Sequence, residues 1–132
     1  MASIFTKIIN GEIPCYKIAE DENYLAFLDI SPLAIGHTLV IPKKEIDYIF
    51  DVDDEHFIGL HLFSKKVAKA IEKAIPCKRI GVAVIGLEVP HAHLHLIPLQ
   101  TVQDINFSRK KMVVSKEILE ETAAKIVANL IK

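Results

Sequence analysis

The chain has no apolar run near the roughly 20 residues that a membrane-spanning helix needs, so no such helix is expected. It has no excess of either charge: 16 Lys and Arg stand against 17 Asp and Glu, net −1 with histidine neutral. That balance does not suit a binder of nucleic-acid backbone or of an anionic membrane surface. There is no Cys-x-x-Cys; Cys15 and Cys77 are isolated. Met1-Ala2-Ser3-Ile4-Phe5-Thr6-Lys7 lacks a basic region followed by an apolar core, so no secretory signal is read there. Reduced thiols and a cytoplasmic location are the corresponding expectations. There are no repeats, low-complexity tracts or linkers, and 132 residues suit one domain with an adequate core.

What is present alternates short strands with helices. Thr6 to Asn10 reads as part of a short helix closed by Asn10-Gly11. Tyr16 to Glu20 and Tyr24 to Asp29 read as strands around the polar turn Asp21-Glu22-Asn23. Gly36 opens a third strand, His37 to Ile41, that Pro42 ends. Asp53 or Asp54 caps a long helix to about Ala74. Its apolar positions are Phe57, Leu60, Phe63, Val67, Ile71 and Ala74, with Lys65, Lys66, Lys69 and Lys73 on its wet face. Arg79 to Ile85 and His91 to Ile97 complete five strands, joined by a short Gly86–Val89 connection that suits antiparallel neighbours. Gln100 to Lys111 is polar and irregular. Ser115 then caps a last helix with Ile118, Leu119, Ala123, Ile126, Val127 and Leu130 on its apolar side. The class is α+β: a five-stranded antiparallel sheet with one long helix on it and shorter helices at either end.

The candidate site is the run Pro90-His91-Ala92-His93-Leu94-His95-Leu96-Ile97-Pro98. In an extended strand successive side chains point to opposite faces, so His91, His93 and His95 share one face. Three imidazoles that close would repel if all were protonated, so a mixture of charged and neutral rings is expected at neutral pH. Such a set offers a nucleophile, proton donors and acceptors, or metal ligands. A histidine nucleophile needs one bare ring nitrogen and an acceptor on the other to fix the tautomer; strand carbonyls are close enough to serve. Phosphorus is a suitable electrophile, because one displacement can be split in two through a phospho-histidine. Neighbouring imidazoles can donate to phosphate oxygens.

His91-Ala92-His93-Leu94-His95-Leu96-Ile97 fits at every place the His-φ-His-φ-His-φ-φ signature, φ being apolar, and so resembles the histidine triad (HIT) superfamily. Tyr24–Pro32, Gly36–Lys43 and Ile4–Pro14 extend the resemblance, which covers most of residues 1–98 and is nearest the Hint-like branch of nucleotide hydrolases. Residues 99–132 do not match the eukaryotic pattern and are read as a divergent tail and helix of one HIT domain spanning 1–132. The resemblance implies a purine-nucleotide hydrolase that needs no cofactor and in which two protomers join their sheets. It makes His93 the nucleophile that is nucleotidylated, His95 a phosphate and proton-transfer group, His91 an orienting residue and His37 the fourth histidine. It makes Asp29 the acceptor of the ribose hydroxyls, for which a carboxylate is apt, and Phe5, Ile8, Ile13, Phe27 and Ile30 the apolar walls around the base. Some members hold a structural zinc partly through an N-terminal Cys-x-x-Cys; Ser3-Ile4-Phe5-Thr6 stands there, so no zinc of that kind is expected.

Before the triad, members commonly read Gly-Gln-Ser/Thr-Val-x-His, whereas this chain reads Gly86-Leu87-Glu88-Val89-Pro90-His91. Glu88 replaces a small hydroxyl residue, and an asparagine expected upstream has no match near Val84. The backbone amides of Glu88 and Val89 remain available to hold phosphate. An ionised Glu88 would repel a second phosphate and favour amine leaving groups; a protonated one could act as an acid. The expected substrates are therefore nucleoside 5′-phosphoramidates or related nucleoside phosphates. A dinucleoside polyphosphate hydrolase, a regulatory nucleotide-binding module and a metal-dependent protein are the alternatives. In eukaryotic relatives the tail approaches the partner's site; the corresponding expectation here is that Asp104–Lys110 does so and brings Arg109 or Lys110 to a phosphate.

Overall fold

The structure is a computed structural model that describes residues 2–130 of the chain; Met1, Ile131 and Lys132 lie outside the described residues. Elements follow as α1 (Ile4–Ile9), β1 (Lys17–Glu20), β2 (Tyr24–Leu28), β3 (Thr38–Pro42), α2 (Asp54–Ala74), β4 (Arg79–Ala83), β5 (Leu94–Leu99) and α3 (Lys116–Ala128). Short 3-10 turns lie at Ile49–Asp51 and Val102–Ile105. The strands form one antiparallel sheet in the order β1-β2-β3-β5-β4.

β2 and β3 are buried along their whole length because both faces of the sheet are covered. One set of alternate residues, with Tyr24, Ala26, Leu28, Val40, Leu94 and Leu96, meets Leu60, Val67 and Ile71 of α2 and Leu119 and Ile126 of α3. Each such aliphatic burial is worth about 1.5–3 kcal/mol. The other set, Leu25, Phe27, Leu39 and Ile41, packs on Phe5 of α1. His95 pairs with Leu39 in β3 and with Ala83 in β4, which puts it on this second, α1 face.

The helix ends follow their caps. Ser3 accepts from the Thr6 amide at the start of α1, Asp53 from His56 at the start of α2, and Ser115 from Ile118 at the start of α3. The positive φ of Gly11 (80°) takes the chain out of α1. Gly36 (φ 97°) has a second reason to be glycine, since a Cβ there would stand 3.1 Å from Pro98 Cγ.

Several boundaries differ from the sequence expectation. β4 stops at Ala83 rather than Ile85, and β5 starts at Leu94 rather than His91. Ala92 instead donates its amide to the Ile46 carbonyl, and β3 pairs with β5 only over three residues from each strand. The tail is not wholly irregular: Thr101 and Asp104 make a capping box that winds Val102–Ile105 into a turn. On α3, Ile118 and Val127 are exposed while Thr122 is buried. The buried stripe runs Leu119, Thr122, Ala123, Ile126, a three-or-four spacing in which one polar residue takes an apolar place. Among the described residues no helix is long and apolar enough to cross a membrane, and Cys15 and Cys77 are free thiols.

Gly59 of α2 lies under the buried Tyr24 ring. A Cβ there would stand 2.8 Å from Tyr24 Cζ and closer still to its hydroxyl, which donates to the His56 carbonyl at 3.2 Å. Gly→Ala inside a helix ordinarily gains about 1 kcal/mol, whereas overpacking a core costs about 1–3. The steric term wins here, so Gly59→Ala is expected to lower stability by about 1 kcal/mol or more in urea unfolding; a more stable variant would show that the Tyr24 ring has room to move.

Candidate active site

The histidine face begins before the strand does. His91 and His93 lie in the irregular segment leading into β5, and His95 is the second residue of β5. All three are buried, as is His37 immediately before β3.

A neutral imidazole has one proton for two nitrogens, and its partners decide where that proton sits. At His91, Nε2 lies 2.7 Å from the Pro42 carbonyl and Nδ1 2.8 Å from Ser3 Oγ. A carbonyl only accepts, so the proton is on Nε2 and Ser3 donates its hydroxyl to Nδ1. Glu45 accepts from the Ser3 amide (2.7 Å) and the Thr6 hydroxyl (2.6 Å), which ties α1 to the chain after β3. Both hydroxyls are thus engaged, that of Ser3 with His91 and that of Thr6 with Glu45.

At His93, Nδ1 donates to the His91 carbonyl at 2.8 Å, which leaves the lone pair on Nε2. The Phe5 ring stands edge-on to His93 with centroids 5.0 Å apart, and the His95 ring is 4.8 Å away. At His37, Nδ1 accepts the Leu33 amide at 3.0 Å, so the proton must sit on Nε2. That Nε2–H donates to His95 Nδ1 at 3.0 Å, and the His95 proton is therefore on its own Nε2. The site thus presents one bare nitrogen at His93 Nε2 and one neighbouring N–H at His95 Nε2. A bare nitrogen can attack an electrophile, and an adjacent N–H can protonate a leaving group.

Burial is the largest influence on all four rings. It pushes His37 down to about 3 and His95 down to about 4, and holds His91 and His93 below their ordinary value. The expected mixture of charged and neutral rings is corrected accordingly: at neutral pH desolvation keeps the set neutral, and what it offers is N–H dipoles and a lone pair rather than imidazolium charge.

Asp29 follows β2, with Oδ1 accepting the Ser31 amide (2.9 Å) and Oδ2 3.7 Å from His37 Nε2. Burial raises its pKa, while the Ser31 amide, Lys111 and His93 pull it back. Asp29, His37 and His95 bring ligand atoms within 4.8 Å of one another, a carboxylate and two imidazoles of the kind that hold zinc. The arrangement does not fit a metal ion. The Leu33 amide occupies His37 Nδ1 and so keeps a proton on Nε2, the atom that would have to coordinate.

Of the expected base walls, Phe5 and Phe27 meet edge-to-face at 5.6 Å and Ile8 packs on the same cluster. Ile13 is half-buried outside that cluster, and Ile30 is 65% exposed. Val89 joins the Phe5 cluster, while Glu88 is exposed and its charge still acts on both His93 and Asp29. A cavity of about 200 Å³ opens beside His93, between Tyr48, Phe50, Val84 and Ile85.

The sequence did not point to Glu45, the Leu33 amide or Phe107. Phe107 stands edge-on to His95 with centroids 4.7 Å apart, and Lys111 Nζ lies 5.4 Å from the Phe107 centroid. Arg109 donates to the Leu33 carbonyl at 2.9 Å. The tail therefore packs against the site of its own chain. Polar tail composition gives no sign of this; the lone aromatic Phe107 within it was the available clue.

A sheet that carries neutral, oriented histidines beneath a short N-terminal helix defines a class of site, and comparison with known proteins agrees. The HIT domain family matches residues 10–102. The adenosine 5′-monophosphoramidase of Schizosaccharomyces pombe is 42% identical over 100 residues, 74% of either chain, and a HIT-like protein of Borreliella burgdorferi is 36% identical over 96% of this chain and 97% of its own. The crystal structure of a Hit-like protein involved in cell-cycle regulation from Bartonella henselae superposes with a TM-score of 0.84 at 38% identity, covering 97% of this chain and 96% of that one. The chain belongs to the histidine triad (HIT) family.

Neutral buried histidines make stability pH-dependent. The unfolded chain takes up protons below about 6.5, while His37 and His95 do not until about 3 and about 4. The unfolded state then binds more protons, so their contribution is complete above 6.5 and is lost as pH falls toward those lower values. Asp29, with its raised pKa, runs the other way, but only in the carboxylate range. The urea midpoint is expected to fall between pH 6.5 and 5, and to fall less steeply in His95→Asn. Equal slopes in the two proteins would remove the buried imidazoles as the cause.

Proposed function

We propose that this chain is a metal-independent hydrolase of purine nucleoside 5′-phosphoramidates and related nucleoside phosphates, working through a nucleotidyl-His93 intermediate. The observation that carries the reading is the bare Nε2 of His93, set by the Nδ1 bond to the His91 carbonyl, next to the Nε2–H of His95. The name of the S. pombe relative supports the choice of leaving group.

His93 Nε2 attacks the α-phosphorus and the bond to the amine breaks. The amine departs with the proton from His95 Nε2, which leaves that ring an imidazolate held by the Nε2–H of His37. Water then attacks the phosphorus, its proton returns to His95, and the bond to His93 breaks to release the nucleoside monophosphate. Asp29 accepts the ribose hydroxyls. Phe5, Ile8, Ile13, Phe27 and Ile30 flank the base, and the amides of Glu88 and Val89 receive phosphate oxygens. The exposed carboxylate of Glu88 adds negative charge near His93, which disfavours a second phosphate on the leaving side.

The test is a single-turnover assay on an adenosine phosphoramidate after exhaustive chelation, with intact-mass detection of the protein. Wild type is expected to release AMP with a transient adduct of nucleotide mass. His93→Ala is expected to show no adduct and to lose on the order of a thousandfold or more in rate. Nucleotide binding with neither adduct nor release would move the chain to the class of regulatory binding modules.

The working unit in this reading is a homodimer. Among the described residues β4 is an edge strand with its outer backbone unpaired and Val82 exposed, and Ile58 and Leu62 of α2 are exposed apolar residues. A second copy pairing along β4 would cover them and join the two sheets. Sedimentation is expected to give twice the chain mass for wild type and a folded single chain for Leu62→Glu combined with Val82→Glu; a wild type sedimenting as one chain would sink the dimer.

A further inference from the structure

The sequence points the tail toward a partner's site, yet in the structure its contacts converge on one peptide of its own chain. The segment Pro32–Ile35 joins β2 to β3 without ladder partners, and it supplies the Leu33 amide that holds His37 Nδ1 at 3.0 Å. The carbonyl of that same peptide unit, Pro32 O, accepts the Met112 amide at 2.8 Å. The carbonyl of the next unit, Leu33 O, accepts Arg109 Nη2 at 2.9 Å. Both peptide planes flanking the Leu33 Cα are thus clamped by the tail. Arg109 is itself steadied by Asp104 Oδ1 at 3.4 Å, and Asp104 Oδ2 is held by the amides of Gln100 (2.7 Å) and Thr101 (3.0 Å) at the end of β5. Phe107 closes the arrangement by standing edge-on to both His95 and His37.

We propose that Arg109 is a positioning residue: by clamping the Leu33 peptide it fixes the tautomer of His37, and through His37 it keeps the proton of His95 on Nε2, facing the leaving group. This rests on the reading of His95 as the proton donor. The chain of donors is continuous. The Met112 amide polarises the Pro32–Leu33 peptide, whose N–H occupies His37 Nδ1. His37 must then donate from Nε2 to His95 Nδ1, and His95 has no choice but to carry its proton on Nε2. If the Leu33 peptide turns away, His37 can move its proton to Nδ1. His95 can then do the same and lose its donor toward the leaving group. A planar guanidinium on a carbonyl is a directional hold that a lysine reproduces only in part.

Two measurements test this. The first needs no substrate: two-bond 1H–15N spectra of the imidazoles read the tautomers directly. Wild type is expected to show Nε2–H at both His37 and His95. Arg109→Ala, and independently Met112→Pro, which deletes the other clamping donor, are expected to show mixed tautomers at both rings, with Arg109→Lys in between. The second compares leaving groups. General acid catalysis is worth about 10²–10⁴-fold, so partial loss of the donor should slow release of an alkylamine about tenfold. Release of 4-nitrophenol from the matching ester needs no proton and should stay within about twofold, with AMP affinity unchanged. Unaltered tautomers in both variants, or equal slowing for both leaving groups, would overturn the proposal. A wild type that shows the tautomers and their dependence on Arg109 yet turns over no nucleotide would leave the clamp standing and remove the hydrolase reading instead.

Discussion

Four imidazoles buried against one sheet face are the constraint on which this site depends. Burial disfavours the charged ring, so each is neutral, and a neutral ring must be told which nitrogen keeps the proton. Backbone does the telling. The Pro42 and His91 carbonyls draw protons to His91 Nε2 and His93 Nδ1, and the Leu33 amide excludes one from His37 Nδ1. The outcome is a bare nitrogen and an N–H donor side by side, without competing protonation states at neutral pH. The same amide that completes this pattern also removes His37 from any zinc-binding set.

The backbone groups are free to act because the ladder is incomplete. The His91 carbonyl can receive the His93 ring because His91–His93 have left the pairing with β3. Pro42 closes β3 and likewise turns its carbonyl to a side chain. Regular strand carries His95, the irregular segment before β5 carries His91 and His93, and the loop after β2 carries the Leu33 amide. The two long helices lie on the opposite sheet face and supply most of the core, which leaves the α1 face for polar, directional contacts. Ser3 makes two such contacts at once on this face, since its hydroxyl caps α1 and also donates to His91.

Much of this was legible in the chain. The alternation in 91–97 put three histidines on one face, and the three-or-four spacing of Phe57, Leu60, Phe63, Val67, Ile71 and Ala74 marked the inner side of α2, where Leu60, Val67 and Ile71 are buried. Cap residues located the starts of α2 and α3, at Asp53 and Ser115, because a capping hydroxyl or carboxylate acts on amides two or three residues away, whereas α1 was read from Thr6 and starts at Ile4 behind the Ser3 cap. Reading failed where long-range partners decide. Thr122 is buried on α3 while Ile118 and Val127 face outward, since the crossing of α3 over α2 and β1 selects the stripe. The charge state of the histidines was misjudged because spacing along a strand says nothing of burial beneath Phe5, which meets His91 and His93, and Phe107, which meets His37 and His95.

What the sequence by itself determined was local: element type, strand faces, caps, and the placing of His91, His93 and His95 in one row. These follow from periodicity and from contacts a few residues apart. Tertiary structure decided the protonation pattern and its supports, with Ser3 meeting His91 across 88 positions and Arg109 meeting Leu33 across 76. Those partners are backbone groups and distant side chains. A backbone amide or carbonyl is the same in every residue, so no residue type announces which one will face a histidine once the chain has folded.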